Sequence, residues 1–374
     1  MRNPYNVMRE FPRQDVASVV AQYVLPRKRS IEATTLKKHN HMKSRKATPW
    51  DGMTDLTPTE EYIRDHHQEH YRIHHQTLGE DMESSLLNSR KPERCSYCGS
   101  KDFIRFGHNA SGVQVYRCRS CGRRFTVLTG TIFDSHKIPI SEWIEFLYNL
   151  FSFVSLTADS WNNKNAFTTS KYWLEKVFLL VGEYQKGIKL KGDVVLDETF
   201  YPVRSEETVW KDGKKLRGLS VNQICIGVAC DNEHVFCVLE GKGKPSQGKT
   251  WSAFKDHIEN GSVLIHDKEN AHKTLVSGLG LTSMSYDARE IKKLDDRDNP
   301  PERVNRIHFL LKRFFMAHSS FKREYIGGFI DLFSFVMNPP SEKLEKVKVL
   351  LDLGLTHAQI LRFRDDFLEI KHSD

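Results

Sequence analysis

Four cysteines and a few oxygen-bearing side chains are the residues of this chain whose types and spacing can do chemistry. Cys95-x2-Cys98 and Cys118-x2-Cys121 are pairs of equal internal spacing with nineteen residues between them. Glycine follows the second cysteine of each pair (Gly99, Gly122), as a tight knuckle turning backbone amides toward sulfur requires. Four thiolates so spaced suit a tetrahedral Zn²⁺, and a site closed by four protein ligands is structural rather than catalytic. A redox CxxC needs only one pair, and no thioredoxin-like pattern surrounds either of these. Cys225, Cys230 and Cys237 fall in apolar, strand-like runs and read as core.

The oxygen ligands are more scattered. Asp197 ends the apolar run VVLD and Asp267 follows VLIH, both at the ends of expected strands, where α/β folds place chemistry. Asp197 and Glu198 are neighbours, so strand alternation sends them to opposite faces and only one joins a site. Asp193 shares the face of Asp197 but reads as solvated at the strand's start. Farther on, ERVNRIHFLLKRFF has the periodicity of an amphipathic helix, with Val304, Ile307, Leu311 and Phe315 on its buried stripe. Asn305, His308 and Lys312 form a second stripe, and Asn305 and Lys312 share a face roughly 10 Å apart along the axis. An amide with a cation one reach away suits a phosphate-processing site; on periodicity alone, this flank simply faces water.

The elements that must position these groups follow the same order. FIRFG and VQVYRCR alternate like strands of a hairpin between the cysteine pairs. ISEWIEFLYNLF carries a helical stripe (Trp143, Phe146, Leu147, Leu150, Phe151) with Ser141 as its N-cap. The polar break SWNNKNAFTTS precedes a second stripe at Tyr172, Trp173, Val177 and Phe178, so the pattern reads as a helix-turn-helix. From residue 190 the pattern turns to strands: KGDVVLDETFYPV, NQICIGVAC, HVFCVLEG and SVLIHD, with a basic loop WKDGKKLRGLS and a helix TWSAFKDHI between them. Three antiparallel strands, a helix, a strand and more helices describe the mixed α/β order of an RNase H-like domain.

Composition bounds the partners. A net charge of +8 favours an anionic partner, and seven cysteines in 374 residues are no secreted disulfide scaffold. No apolar run is long enough to span a bilayer, and MRNPYNVMREF lacks an apolar signal region, so a chain that is neither exported nor membrane-bound is expected. Residues 27–46 hold eight Lys/Arg against one acid, and residues 47–90 hold nine acids against three arginines. A basic arm followed by an acidic segment with one helix is expected, partly disordered. Five histidines (His66, His67, His70, His74, His75) read as a solvated polar helix rather than a metal site.

The order of ribbon, helix-turn-helix, LDET, HDKENAH, VNRIHFLLKRF and AHSSFKREYIGGFIDLFSFVMN resembles insertion-sequence transposases of the zinc-ribbon group, over about residues 93–338. GKGKPS at 241–246 is also similar to a segment of that family. The resemblance implies an α/β, RNase H-like mixed-sheet catalytic domain with an Asp-Asp-Glu or Asp-Asp-Asn metal triad and a lysine seven residues later. Carried over, Asp197, Asp267 and Asn305 hold two Mg²⁺ or Mn²⁺ ions and Lys312 is the associated basic residue, while Cys95, Cys98, Cys118 and Cys121 hold Zn²⁺. It further implies double-stranded DNA as partner (element ends and target), metal-dependent strand cleavage and transfer, a homodimer or higher assembly on paired ends, and a cytoplasmic place at the bacterial nucleoid. The expected division is an N-terminal extension (1–90), zinc ribbon (91–135), helix-turn-helix (136–185), catalytic domain (190–338) and helical tail (339–374). Two other classes stay open: a DNA-binding regulator with an inert nuclease domain, and an RNase H-like nuclease without strand transfer.

Overall fold

A computed structural model describes residues 48–74, 80–136, 138–163, 165–267, 270–287, 299–318 and 321–361. The expected basic arm over 27–46, His75 and the end of the tail lie outside them. The chain divides into two units, 1–68 and 69–374. Helix α1 (Pro58–His74) begins in the first. Its start is a reciprocal cap: the Thr57 N–H donates to Glu60 Oε2 at 2.8 Å, and the Glu60 N–H donates to Thr57 Oγ1 at 3.3 Å. His66 and His67 are exposed on this helix.

In the second unit, α2 (Glu80–Ser89) precedes a small antiparallel sheet of β1 (Phe103–His108), β2 (Gln114–Cys118) and β3 (Arg124–Phe125). Its core is Tyr116 and Phe125 packed with Phe103, Cys95 and Cys118. So few apolar side chains cannot hold a sheet together by burial alone.

Three helices follow, α3 (Ser141–Phe151), α4 (Leu156–Asn162) and α5 (Phe167–Lys186). The expected stripe of α3 is its buried face. Ser141 is not its N-cap but its first residue; the N-cap is Ile140, which has no capping side chain and whose own N–H donates to Glu83 Oε2 at 2.7 Å. A carboxylate of a neighbouring helix thus holds the chain just where α3 begins. The turn is pinned by Asp159, 2% exposed, which accepts from Asn149 (3.0 Å), Asn163 (2.7 Å) and Ser170 (3.0 Å). Asp159→Ala leaves three donors unpaired, and a loss of about 2–4 kcal/mol is expected; a shift of the urea midpoint at unchanged slope measures it. An unshifted midpoint would mean that water replaces the carboxylate.

The large sheet begins with β4 (Asp193–Pro202). The basic stretch expected as a loop is a short hairpin, β5 (Trp210–Lys211) and β6 (Lys214–Lys215), turned at Asp212–Gly213. Then come β7 (Gln223–Cys230), β8 (Val235–Lys242), α6 (Gln247–Phe254), β9 (Val263–Asp267), α7 (Lys273–Leu279) and β10 (Thr282–Tyr286). The chain continues as α8 (Glu302–Ala317), α9 (Ile326–Met337) and α10 (Lys343–Thr356). Strand order is β10-β9-β4-β7-β8; β4, β9 and β10 run parallel, and β7 lies antiparallel to both β4 and β8.

Alternation divides the sheet between two cores. Val194 and Leu196 pack with Phe254 and Leu275 on one face. Val195 and Val228 join Leu311, Phe329 and Phe333 on the other, in one cluster with Trp143, Trp173 and Val177. Helices cover both faces, which is why β7 is buried at nearly every position. No helix among the described residues is long and apolar enough to cross a membrane.

Candidate functional site

Parallel pairing sets Leu196 opposite His266, so the next residues, Asp197 and Asp267, stand level on neighbouring strands. Burial, with the charges of Glu198 and Asp267, pushes the Asp197 carboxyl up to about 7. Tyr286 is level with Asp267 on β10, and burial together with both aspartates raises its phenol. Asp193 is exposed, as expected of a strand's first residue.

Helix α8 lies against this face. Val304, Ile307, Leu311 and Phe315 are buried, and so is His308, which the sequence placed on the polar flank. His308 Nδ1 stands 4.0 Å from Asp197 Oδ2. Burial and the Lys312 charge push its imidazole down to about 4, so the ring is neutral near pH 7. Asn305 and Lys312 lie on the exposed flank of the same helix, and neither is hydrogen-bonded to Asp197. Asp197, Asp267 and His308 are therefore gathered at one place, with Asn305 one turn before and Lys312 one turn after His308.

Glu198 points to the other face, as alternation requires, and there it starts a chain that the sequence did not reveal. Glu198 Oε1 pairs with His272 Nε2, His272 Nδ1 with His266 Nδ1, and His266 Nε2 with Ser283 Oγ, each at 2.9 Å. One donor direction satisfies all three bonds: Ser283 donates to His266, His266 to His272, and His272 to Glu198. Burial opposes charge on His272, but the bond and charge of Glu198 outweigh it and raise its pKa; burial and His272 lower that of His266. These bonds tie β4, β9 and β10 together directly behind the two aspartates. The only sequence signal was two histidines flanking Asp267, in HDKENAH. A donor atom from each of His266, Asp267 and His272 lies within 4.8 Å of the others, but both imidazoles already have partners on each ring nitrogen.

The second cluster lies in the small sheet. Cys95 Sγ is 3.8 Å from Cys121 Sγ, and Cys98 Sγ is 3.6 Å from Cys118 Sγ. A tetrahedral Zn²⁺ with Zn–S of about 2.3 Å sets its sulfurs about 3.8 Å apart, so the donor set fits that ion. The two knuckles repeat one another. Gly99 (φ +72°) and Gly122 (φ +73°) turn the chain through the left-handed region, and their N–H groups donate to Cys95 O and Cys118 O. Tyr97 and Cys121 donate backbone N–H groups to Cys95 and Cys118 sulfur, each at 3.5 Å. That amide pulls the Cys118 thiol down to about 6, toward the thiolate a metal needs.

Fold and site together define a mixed α/β domain in which Asp267 ends β9 as expected, whereas Asp197 lies midway along β4, which runs on to Pro202 by pairing with β7; a four-cysteine cluster able to hold a metal ion precedes it. No protein-family model and no curated protein matches the sequence. Solved structures similar to it include the catalytic domain of Mos1 mariner transposase, at 12% identity and TM-score 0.27, covering 59% of this chain and 91% of that one. The Mos1 mariner paired-end complex with Mn aligns at 11% identity and TM-score 0.22, over 86% of this chain and 82% of that one. A chain of the simian T-cell lymphotropic virus intasome in complex with PP2A regulatory subunit B56 gamma aligns at 12% identity and TM-score 0.26, over 40% of this chain and 49% of that one. This chain thus spans about half the length of that last chain. Values of this size leave the chemistry to be argued from the residues themselves.

Proposed function

We propose that the protein is a transposase that binds the ends of its own DNA element and catalyses metal-dependent cleavage and transfer of their strands. The observation that carries this reading is the pair Asp197 and Asp267, level on adjacent parallel strands, with the Asp197 carboxyl pushed up to about 7 by burial and by its carboxylate neighbours. A buried carboxyl that resists its own charge is stabilised by a cation. Two carboxylates with an amide oxygen from Asn305 form a hard-oxygen donor set, which suits Mg²⁺ or Mn²⁺. Two such ions would supply an activated hydroxyl nucleophile and neutralise the leaving oxygen of a phosphodiester.

The chain's own residues do the rest. Glu198, His272 and His266 hold the strands in register from behind. Lys312, exposed and one to two turns beyond Asn305, meets phosphate rather than metal. Zn²⁺ on Cys95, Cys98, Cys118 and Cys121 stabilises the small sheet that its slight core cannot. That sheet presents Arg117, Arg119, Arg123 and Arg124 to solvent. Arg124 lies 4.2 Å over the Phe106 ring and Arg123 5.0 Å over Tyr97, so both guanidinium groups are held in place for phosphate contacts. The hairpin at Trp210, 62% exposed, adds Lys211, Lys214, Lys215 and Arg217. The acidic pair speaks against a regulator with an inert nuclease domain; a nuclease without strand transfer would give cleavage and no joined product. Work on paired ends calls for a dimer or higher assembly.

The third ligand is tested by comparing Asn305→Ala and Glu302→Ala in Mg²⁺- and Mn²⁺-dependent cleavage of DNA carrying the inverted repeats that flank the coding region. Asn305→Ala is expected to lose roughly tenfold or more, and Glu302→Ala to stay near wild type. The reverse result moves the ligand one helical turn toward the N-terminus. Lys312→Ala is expected to weaken DNA binding and flatten its salt dependence while metal affinity holds. If no cleavage or joining occurs with either metal, the proposal fails.

A further inference from the structure

Where α5 crosses the C-terminal end of α8 and the start of α9, a cavity of about 430 Å³ lies apart from the two aspartates. Its walls are aromatic rings: Phe178, Phe321, Tyr325 and Phe329. Phe178 and Phe321 approach Phe329 to centroid distances of 5.0 and 4.4 Å. Polar side chains interrupt this lining. His318 is 5% exposed, and neither ring nitrogen has a hydrogen-bond partner among the described residues. Burial keeps its ring neutral, pushing the pKa down to about 4. Glu175 Oε1 is buried and pairs with the Lys171 ammonium at 3.2 Å. Lys171 and Lys322 complete the lining with positive charge.

A buried imidazole with both nitrogens unpaired bears its full desolvation cost unless a ligand supplies partners. An aliphatic chain, or a phenylalanine from a second copy, would fill the volume and leave His318 and Glu175 as they are. The matching ligand is planar, with π faces for the phenyl walls, N–H and acceptor atoms on its edge, and an attached negative charge for the lysines. From these features we infer that the cavity receives an unpaired nucleobase of bound DNA, its edge toward Glu175 and His318 and its phosphate toward Lys171 and Lys322. The inference rests on the DNA-binding reading above and extends it to a base-recognition pocket. Its place agrees: His318 follows His308 by ten residues, about 15 Å along α8, within reach of a strand lying over the two aspartates. A base stacked between aromatic rings is sequence-tolerant, whereas its edge contacts add preference.

The test uses the full-length protein and a short duplex carrying one bulged thymine, against the same duplex with an abasic residue at the bulge. Charge and length are equal, so phosphate contacts cancel. The wild-type protein is expected to bind the thymine duplex about tenfold or more tighter, as stacking of one base implies. Thr157→Trp, which fills the cavity from an exposed position on α4, is expected to abolish that difference while binding fully paired duplex unchanged. His318→Phe, which removes the unpaired nitrogens without opening a void, is expected to shrink it. Equal affinity of the wild type for the two duplexes overturns the inference, and so does a preference that survives Thr157→Trp. A Thr157→Trp protein whose only change is its oligomeric mass assigns the cavity to a second copy and also overturns it. Binding to no duplex at all refutes the DNA-binding reading itself, so the two failures are distinguishable.

Discussion

Asp197→Ala and Asp267→Ala are each expected to leave DNA binding intact and to lower metal-dependent cleavage by roughly a thousandfold or more, because on the proposed reading each removes a charged ligand that places a metal ion. The loss separates from misfolding through stability. Burial and neighbouring carboxylates raise the Asp197 pKa from 3.8 to about 7, so without metal the folded state holds a proton that the unfolded state releases. A raised acid pKa contributes stability that is present below the unfolded value and lost as pH rises through the folded one. The metal-free protein is therefore expected to lose stability between about pH 4 and about pH 7. Asp197→Asn removes that slope and is at least as stable as wild type near pH 7, yet inactive. Mn²⁺ raises the urea midpoint of wild type near pH 7 and not that of Asp197→Asn. Near-normal cutting by either alanine variant would falsify the metal-ligand assignment.

Cys118→Ser is expected to have the second-largest effect. Metal analysis of the purified protein is expected to give one zinc per chain, and of the variant none. Structural zinc sites of this type are worth on the order of 10 kcal/mol to their small folds. With little more than Tyr116, Phe125, Phe103 and Val127 as apolar support, β1–β3 is expected to lose its order when the ion is gone. Hydrogen exchange across residues 95–125 reports this, while the core around Phe329 and Phe333 stays protected. Because Arg117 and Arg124 lie on those strands, DNA binding falls with the zinc. A zinc-free wild-type protein, or unchanged DNA binding by Cys118→Ser, refutes the ribbon's role.

Much of the fold was legible because it depends on short-range patterns. The strands read at KGDVVLDETFYPV, NQICIGVAC, HVFCVLEG and SVLIHD are β4, β7, β8 and β9. Their β-branched runs and punctuating glycines act within a few residues. β10 was not legible, since Thr282–Tyr286 is mostly exposed and becomes a strand only by pairing with β9. The Ser141 cap was misread for a similar reason: the N-cap is Ile140, whose N–H is held by Glu83, fifty-seven residues away.

The sequence by itself determined the ligand types, the knuckle spacing of the four cysteines, the strands that carry Asp197 and Asp267, and the opposite facing of Glu198, but it ended the first strand at Asp197, five residues too early. Each follows from covalent spacing or from the two-residue period of a strand, which no tertiary contact alters. Only the tertiary structure decided that Asp197 and Asp267 stand level, because parallel register between β4 and β9 is set across an intervening helix and four further strands. It also buried His308 beside Asp197 while leaving Asn305 and Lys312 exposed, a distinction that depends on how α8 is rotated against the sheet. The Glu198–His272–His266–Ser283 chain and the cavity around His318 arise in the same way. Groups far apart in sequence meet there because packing both faces of one sheet leaves them no other place.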